Sequence, residues 1–540
     1  MKKAYLAITS LALILTFVSL IIGVQKAPGD PKMIFLGRRT INSQDTPTYF
    51  SFIEQAKQGK ILFQNLYTTE EPNPGLFRPS YLIIGQFGRI FNLSSPILFH
   101  LSRIPFGFLF FLTAYFFFSL FFTKKGHILT ALSILAFSSG VGFITGGFIK
   151  DSTDLWIPES NTFLSLSDSP HFIFSQTLML GIFTSFLYYL KTRSRSFLIL
   201  GGLAAAILSF EHPFDLPTIF LAFGLFTSTF LLTKSKIPKN YLLISSAFLF
   251  PSLIGAVNYF FLLKSPAISL WSQQNVMLSP DFINYLSGFG FLLPLAVVGI
   301  IPLLKLDEEK AYLILSWLMS TFLLLYSPVV FQRRFIEGIH IPITILATLG
   351  VIFLLGQLER FFQKMRESKS KHKIYSLPAF VKPFIAIILI LILSLTSLKS
   401  IYNDIQAFSN NKTDDYYYYL LPQEFEGMNW ISKNIPDDRI ILSNWFYGNL
   451  IPGFTGRKVY IGHKIQTIDF GKKNSFLADF FTTLSDQERK QFLKEQNINY
   501  LFFGKDDYFL RLGDFKAEEK NYLKKIYENQ AVTIYSVNFK

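Results

Sequence analysis

Asp45 lies early in a long polar stretch, roughly Gln25 to Phe77, within the segment Ser43-Gln44-Asp45-Thr46-Pro47-Thr48-Tyr49. Glu70 and Glu71 stand near the end of the same stretch. Three further polar features interrupt otherwise apolar sequence. Asp151 and Asp154 open a segment that passes Glu159 and ends at Pro170-His171. Glu211-His212-Pro213-Phe214-Asp215 breaks an apolar run, and Arg333-Arg334 precede Glu337, Gly338 and His340 at the mouth of another. Carboxylates together with an arginine pair at a membrane surface suit one job: moving a group carried on a lipid phosphate. The guanidinium fork matches phosphate oxygens and stays charged at low dielectric. A carboxylate opposite takes the proton of an attacking hydroxyl, and the phosphate is stabilised as its charge develops.

Each residue also has a plainer reading. Asp before a first-turn proline is a common helix start, so Asp45 also fits an N-cap. Glu70 and Glu71 fit a solvated loop pair, and Asp151 and Asp154 fit the same description. Arg333 and Arg334 fit interface anchors that reach toward headgroups. His171, His212 and His340 show no fixed metal-ligand spacing and fit hydrogen-bonded structural histidines. Metal ligands are therefore unassigned, and a divalent cation, Mg or Mn, is the one cofactor the carboxylates leave open. Cysteine is absent, which excludes disulfides and thiolate chemistry. No Gly-x-Gly-x-x-Gly or Walker pattern exists, which argues against a nucleotide-bound donor.

The elements that carry these residues read as membrane helices. Half of the 540 residues are hydrophobic and 17% are aromatic, distributed over many separate apolar runs. The net charge of +15 does not point to nucleic acid, because Lys and Arg cluster in short loops between those runs. Lys2 and Lys3 precede an apolar run from Ala4 to Val24, long enough to cross the bilayer and without a small-x-small cleavage site, so a signal anchor is expected. Ten further spans are expected near 97–121, 128–148, 171–190, 197–211, 216–233, 241–262, 283–304, 311–328, 341–358 and 382–400. Alternate loops then carry Lys124-Lys125, Lys191/Arg193/Arg195, Lys234/Lys236/Lys239, Lys305/Lys310 and the basic run from Arg360 to Lys373. All five are basic, which sets the N-terminus in the cytoplasm and the first loop and C-terminus outside. Leu76 to Phe91 is too short and charged to span, and reads as an interfacial amphipathic helix. From about 401 the composition becomes mixed. A helix over Pro422 to Asn434, strands near 439–443, 458–461 and 499–503, a capping box at Ser485–Glu488 and a closing hairpin predict a C-terminal α/β domain. The domain reading is residues 1–400 transmembrane, with 25–96 as the first outer loop, and 401–540 extracytoplasmic.

A long first outer loop with an early acidic residue, many spans and an outer C-terminal domain resemble the GT-C superfamily of integral-membrane glycosyltransferases, the group of protein O-mannosyltransferases and bacterial arabinosyl and aminoarabinosyl transferases. Strings resembling a bacterial branch of that group are Asp45-x-Pro47-Thr48-Tyr49, Glu211-His212-Pro213-Phe214, Gln332-Arg333-Arg334-Phe335 with Gly338-x-His340-x-Pro342, and Asn449-x-Ile451-Pro452 with Thr455-Gly456-Arg457. The resemblance implies a cell-envelope enzyme. It would move a sugar from a polyprenyl-phosphate donor to a hydroxyl on an extracytoplasmic lipid, glycan or protein acceptor, with Asp45 as general base. The commoner pattern has two acidic residues adjacent or one apart. Here Gln44 precedes Asp45 and the adjacent pair is Glu70-Glu71, so the base lies between Asp45 and those glutamates. The competing functions are a transporter or flippase of a lipid-linked glycan and a non-catalytic membrane scaffold. The absence of an internal repeat, and polar residues gathered at one face, weigh against transport.

Overall fold

The computed structural model describes residues 2–144, 151–235, 237, 239–367, 381–409, 418–505 and 515–539. Lys236, Lys369, Lys371 and Lys373 of the expected basic loops lie outside the described residues. Among the described residues, seven helices are long and apolar enough to cross a membrane. They are Lys2–Gln25, Ser95–Ser119, Lys125–Ile144, Pro170–Thr192, Asp215–Lys234, Lys239–Leu262 and the segment Gln332–Lys364. Two bent pairs, Phe282–Phe289 with Leu292–Leu303 and Pro383–Leu393 with Leu395–Ser409, raise the number to nine. The chain is a multi-pass membrane protein.

The expected eleven spans exceed this number for two physical reasons. Arg195–Glu211 has 17 residues, about 25 Å of helix against about 30 Å of hydrocarbon. Glu308–Leu325 opens with Glu308, Glu309 and Lys310, so charge occupies its first turn. Leu76 to Phe91 does form a short helix, Pro79–Phe91. It buries Tyr81 and Ile84 while Ile83, Phe87, Ile90 and Phe91 remain exposed, the two-sided character expected of a helix lying in the interface.

The chain divides into two compact units. The first comprises residues 1–19, 103–257 and 277–404. Its core is aromatic: Trp317 is fully buried and stacks on Phe183 at 4.2 Å between ring centres. Leu292–Leu303 and His340–Glu367 cross with their backbones in contact, because a Cβ at Gly299 would strike Leu346 and one at Gly350 would strike Leu295. Small residues at a crossing permit this where lipid gives helices no hydrophobic reason to associate.

The second unit comprises residues 20–102, 258–276 and 405–540. Its five-stranded sheet runs in the order Lys458–Val459, Ile440–Leu442, Ile498–Gly504, Val532–Val537, Leu523–Glu528. The first three strands are parallel and the last two antiparallel. The predicted strands, the helix Pro422–Asn434 and the Ser485 capping box of the helix Asp486–Glu495 are all present. The first loop belongs to this unit. Ile34–Phe35 pairs with Tyr419–Leu420, the backbone N–H of Val459 donates to Leu66, and Leu36 and Tyr67 are buried among Ile441, Leu450 and Phe502. The division by contacts thus groups the 25–96 loop with the C-terminal residues, whereas the sequence-level boundary at 400 groups it with the spans.

Candidate active site

Asp45 is set by a tight turn. Asn42 adopts a left-handed backbone (φ 49°), and the backbone N–H of Asp45 donates to the Asn42 carbonyl at 2.9 Å. The guanidinium Nε of the buried Arg38 donates to the Ser43 carbonyl at 2.6 Å, and the Asn449 amide donates to the Gln44 carbonyl at 3.3 Å. The helix Thr46–Lys57 begins immediately after, with Pro47 in its first turn. Asp45 thus occupies the cap position, yet its side chain makes no capping hydrogen bond. Its Oδ1 instead accepts from His463 Nε2 at 2.7 Å.

His463 was not singled out by sequence. Its side chain is 2% exposed while that of Asp45 is 37% exposed. The His463 Nδ1 accepts the backbone N–H of Ile465 at 3.0 Å and of Gln466 at 3.2 Å. A nitrogen that accepts two donors carries no proton, so the neutral ring holds its proton on Nε2, facing Asp45. Tyr67 packs edge-on against the imidazole, and burial pushes its phenol up, keeping it protonated. Among the described residues, the second oxygen of Asp45 has no hydrogen-bond partner. The only sequence cue to His463 is a Gly-His pair just beyond the short strand Lys458–Val459.

The two loop glutamates are engaged elsewhere. Glu70 pairs with Lys473 at 2.7 Å and accepts from the Thr68 hydroxyl. Burial alone would raise its carboxyl, but Lys473 and Thr68 outweigh it and hold Glu70 below the usual carboxylate range. Glu71 pairs with Lys458 at 2.6 Å and accepts the Asn73 backbone N–H at 2.8 Å.

In the first unit, the structure brings together residues that the sequence presents as separate features. His212 Nδ1 lies 2.8 Å from Asp215 Oδ1 and 3.1 Å from Glu337 Oε2, and all three residues are buried. The ring of His171 lies 6.4 Å from that of His212, with its Nδ1 bonded to Ser169 Oγ at 2.6 Å. These three ligand-bearing residues form the one metal-competent group among the described residues. Arg334 lies over Phe214 at 4.8 Å and acts electrostatically on both Asp215 and Glu337. Arg333 lies over Trp156 at 5.0 Å and has no ion pair within 4 Å among the described residues. Its buried Nε has no acceptor.

The remaining predicted residues of the first unit have partners of their own or are exposed. The Asp154 carboxylate accepts from the Gly140 backbone N–H at 2.8 Å and the Ser152 hydroxyl at 2.5 Å. Burial pushes its carboxyl up to about 6. Asp151 is exposed. His340 bonds Ser138 Oγ at 3.1 Å through Nε2 and Thr162 Oγ1 at 2.9 Å through Nδ1, so both ring nitrogens tie neighbouring turns together.

A family model described as a family of unknown function, DUF6541, matches residues 178–529, well over half of the chain. The chain belongs to the DUF6541 family. This member is 23% identical, over 242 residues, to the dolichyl-phosphooligosaccharide-protein glycotransferase 2 of Archaeoglobus fulgidus, an alignment covering 41% of this chain and 35% of the relative. The match spans about a third of the relative's length. Among solved structures, the A. fulgidus oligosaccharyltransferase tethered with an acceptor peptide containing the NVT sequon matches with a TM-score of 0.57 and 15% identity, covering 93% of this chain and 69% of that one. AglB from A. fulgidus in complex with an inhibitory peptide and a dolichol-phosphate matches with a TM-score of 0.54 and 13% identity, over 99% and 74% of the two chains. The DUF6541 chain has the fold of these GT-C membrane proteins, as its sequence led us to expect.

Proposed function

We propose that the chain transfers a sugar from a polyprenyl-phosphate-linked donor to a hydroxyl acceptor outside the cytoplasm, with inversion at the anomeric carbon. The observation that carries this reading is the Asp45–His463 pair: a neutral imidazole donates to one carboxylate oxygen while the other faces no protein donor. A carboxylate held in this way acts as a general base. It takes the acceptor hydroxyl proton, the acceptor oxygen bonds to the anomeric carbon, and the bond from that carbon to the phosphate oxygen breaks in a single displacement. The engagement of Glu70 and Glu71 by lysines supports Asp45 over the glutamates as the base. Arg333, cationic and without an ion pair among the described residues, is the candidate phosphate contact, with Arg334 beside it in sequence. The fold shared with the archaeal oligosaccharyltransferase structures, one of them bound to a dolichol-phosphate, supports the donor class. In this reading the N-terminus is cytoplasmic, and the first loop and C-terminal residues are outside.

The test is transfer of label from a panel of radiolabelled polyprenyl-phosphate sugars by the purified chain, with Arg333→Ala alongside. Donor-dependent labelling of a hydroxyl acceptor, with a KM for donor raised about tenfold or more in Arg333→Ala, is the expected result. Retained lipid-phosphate binding with no turnover on any donor would replace transfer by transport or scaffolding.

A further inference from the structure

The junction between Arg195–Glu211 and Asp215–Lys234 places two buried carboxylates against one imidazole. His212 and Asp215 flank Pro213 and Phe214, and the backbone N–H of Asp215 donates to the His212 carbonyl at 3.1 Å, closing the turn. This turn brings the two side chains together, and Glu337 reaches them from the turn that precedes His340–Glu367. His212 is 1% exposed, Asp215 1% and Glu337 1%. One imidazole nitrogen faces two carboxylates yet has at most one proton to give. The second Asp215 oxygen is buried with no hydrogen-bond partner. Glu159, 4% exposed, also has a buried oxygen without a partner, and it repels charge on both Asp215 and Glu337. Asp215, Glu337 and Glu159 thus act on one another electrostatically, and the Arg334 guanidinium acts on the first two. Leaving such charge buried without compensation is strongly unfavourable. A divalent cation would offset this concentration of carboxylate oxygens.

The distances fit this reading. Ligands about 2.1 Å from a shared ion sit about 3.0–3.4 Å apart at octahedral or tetrahedral angles; the His212–Glu337 separation of 3.1 Å falls in that range and the His212–Asp215 separation of 2.8 Å lies just below it. An imidazole nitrogen with two carboxylate oxygens is a mixed donor set that suits Mn2+ or Zn2+. We infer that His212, Asp215 and Glu337 form a structural or functional site for one divalent cation, at the ends of the helices they join. All three residues belong to the first unit, and the inference does not depend on the transfer reading.

Chelator-stripped full-length chain in detergent, titrated with Mn2+ and read by electron paramagnetic resonance with no sugar donor present, tests the inference. One Mn2+ bound per chain is expected, with nitrogen coupling in the pulsed spectrum. Removing a ligand should cost at least what loss of an outer-shell partner costs, so Glu337→Gln and Asp215→Asn should each weaken binding by about 10–100-fold or more. The inference is overturned if the wild type retains no Mn2+, if its spectrum lacks nitrogen coupling, or if the carboxamide variants bind as the wild type does. Should a variant fail to fold, the wild-type stoichiometry and nitrogen coupling still decide the question.

Discussion

Replacing His463 by asparagine separates its two roles. The Asn Oδ1 takes the place of the ring Nδ1 and still accepts from Ile465 and Gln466, while nothing remains where Nε2 donates to Asp45. A hydrogen bond to a charged group contributes about 1.5–3 kcal/mol. Asp45 is 37% exposed, so water replaces part of the lost donor and the lower end of that range applies. His463→Asn is therefore expected to lower kcat about tenfold in the transfer assay, with donor KM and melting temperature close to wild type. His463→Leu also removes the acceptor of the half-buried Ile465 and Gln466 N–H groups, and should additionally destabilise the second unit by about 1 kcal/mol. Both are measured as single-turnover transfer and thermal unfolding in detergent. If His463→Asn transfers at the wild-type rate while His463→Leu only unfolds more readily, the imidazole is a fastener for the 463–466 turn and does not position Asp45.

Two further outcomes concern pH and stability. The Asp154 carboxyl is raised in the folded protein, so its contribution is fully present below the unfolded carboxylate range and is lost as pH rises from about 3.8 through about 6. Stability should fall by about 2 kcal/mol between pH 4 and pH 7 on its account. Asp154→Asn, whose amide mimics the protonated acid, should flatten that slope in melting curves; an unchanged slope would refute the assignment. Glu70 is shifted the opposite way, so its contribution is present above its ordinary value of 4.5 and is lost as pH falls through its lower folded value. Lys473→Met should destabilise the second unit by about 1–3 kcal/mol at pH 7 and remove that acid-side loss, with Glu70→Gln/Lys473→Met recovering part of the stability. Additive single-variant effects would count against the pair.

The sequence exposed some of this architecture and concealed the rest for identifiable reasons. The membrane helices were legible because a span must be apolar over about 20 residues, a signal that needs no partner. Asp45 was legible because Asp-Thr-Pro marks a helix start, although its carboxylate does not serve as the cap. His463 was not legible, since it reaches Asp45 across 418 residues of chain. The strand Ile34–Phe35 is two residues long and shows no period before it finds Tyr419–Leu420. The helix Trp445–Thr455 contains Gly448, Pro452 and Gly453, a composition that argues against helix. It forms because Gly448 lets the backbone of Ile461 approach, and Gly453 does the same for Pro47. Tertiary packing outweighs local propensity there. The His212, Asp215 and Glu337 group was half visible: the Glu-His-Pro-Phe-Asp break was evident, while the arrival of Glu337 depends on how helices fold together.

The central claim is that Asp45 is the base of a glycosyl transfer. Its most direct test is single-turnover transfer from the best donor of the panel by wild type and Asp45→Asn at matched folding and donor binding. Loss of a general base is expected to slow the chemical step by about 10²–10⁴-fold with donor affinity retained. Transfer by Asp45→Asn at the wild-type rate would contradict the claim.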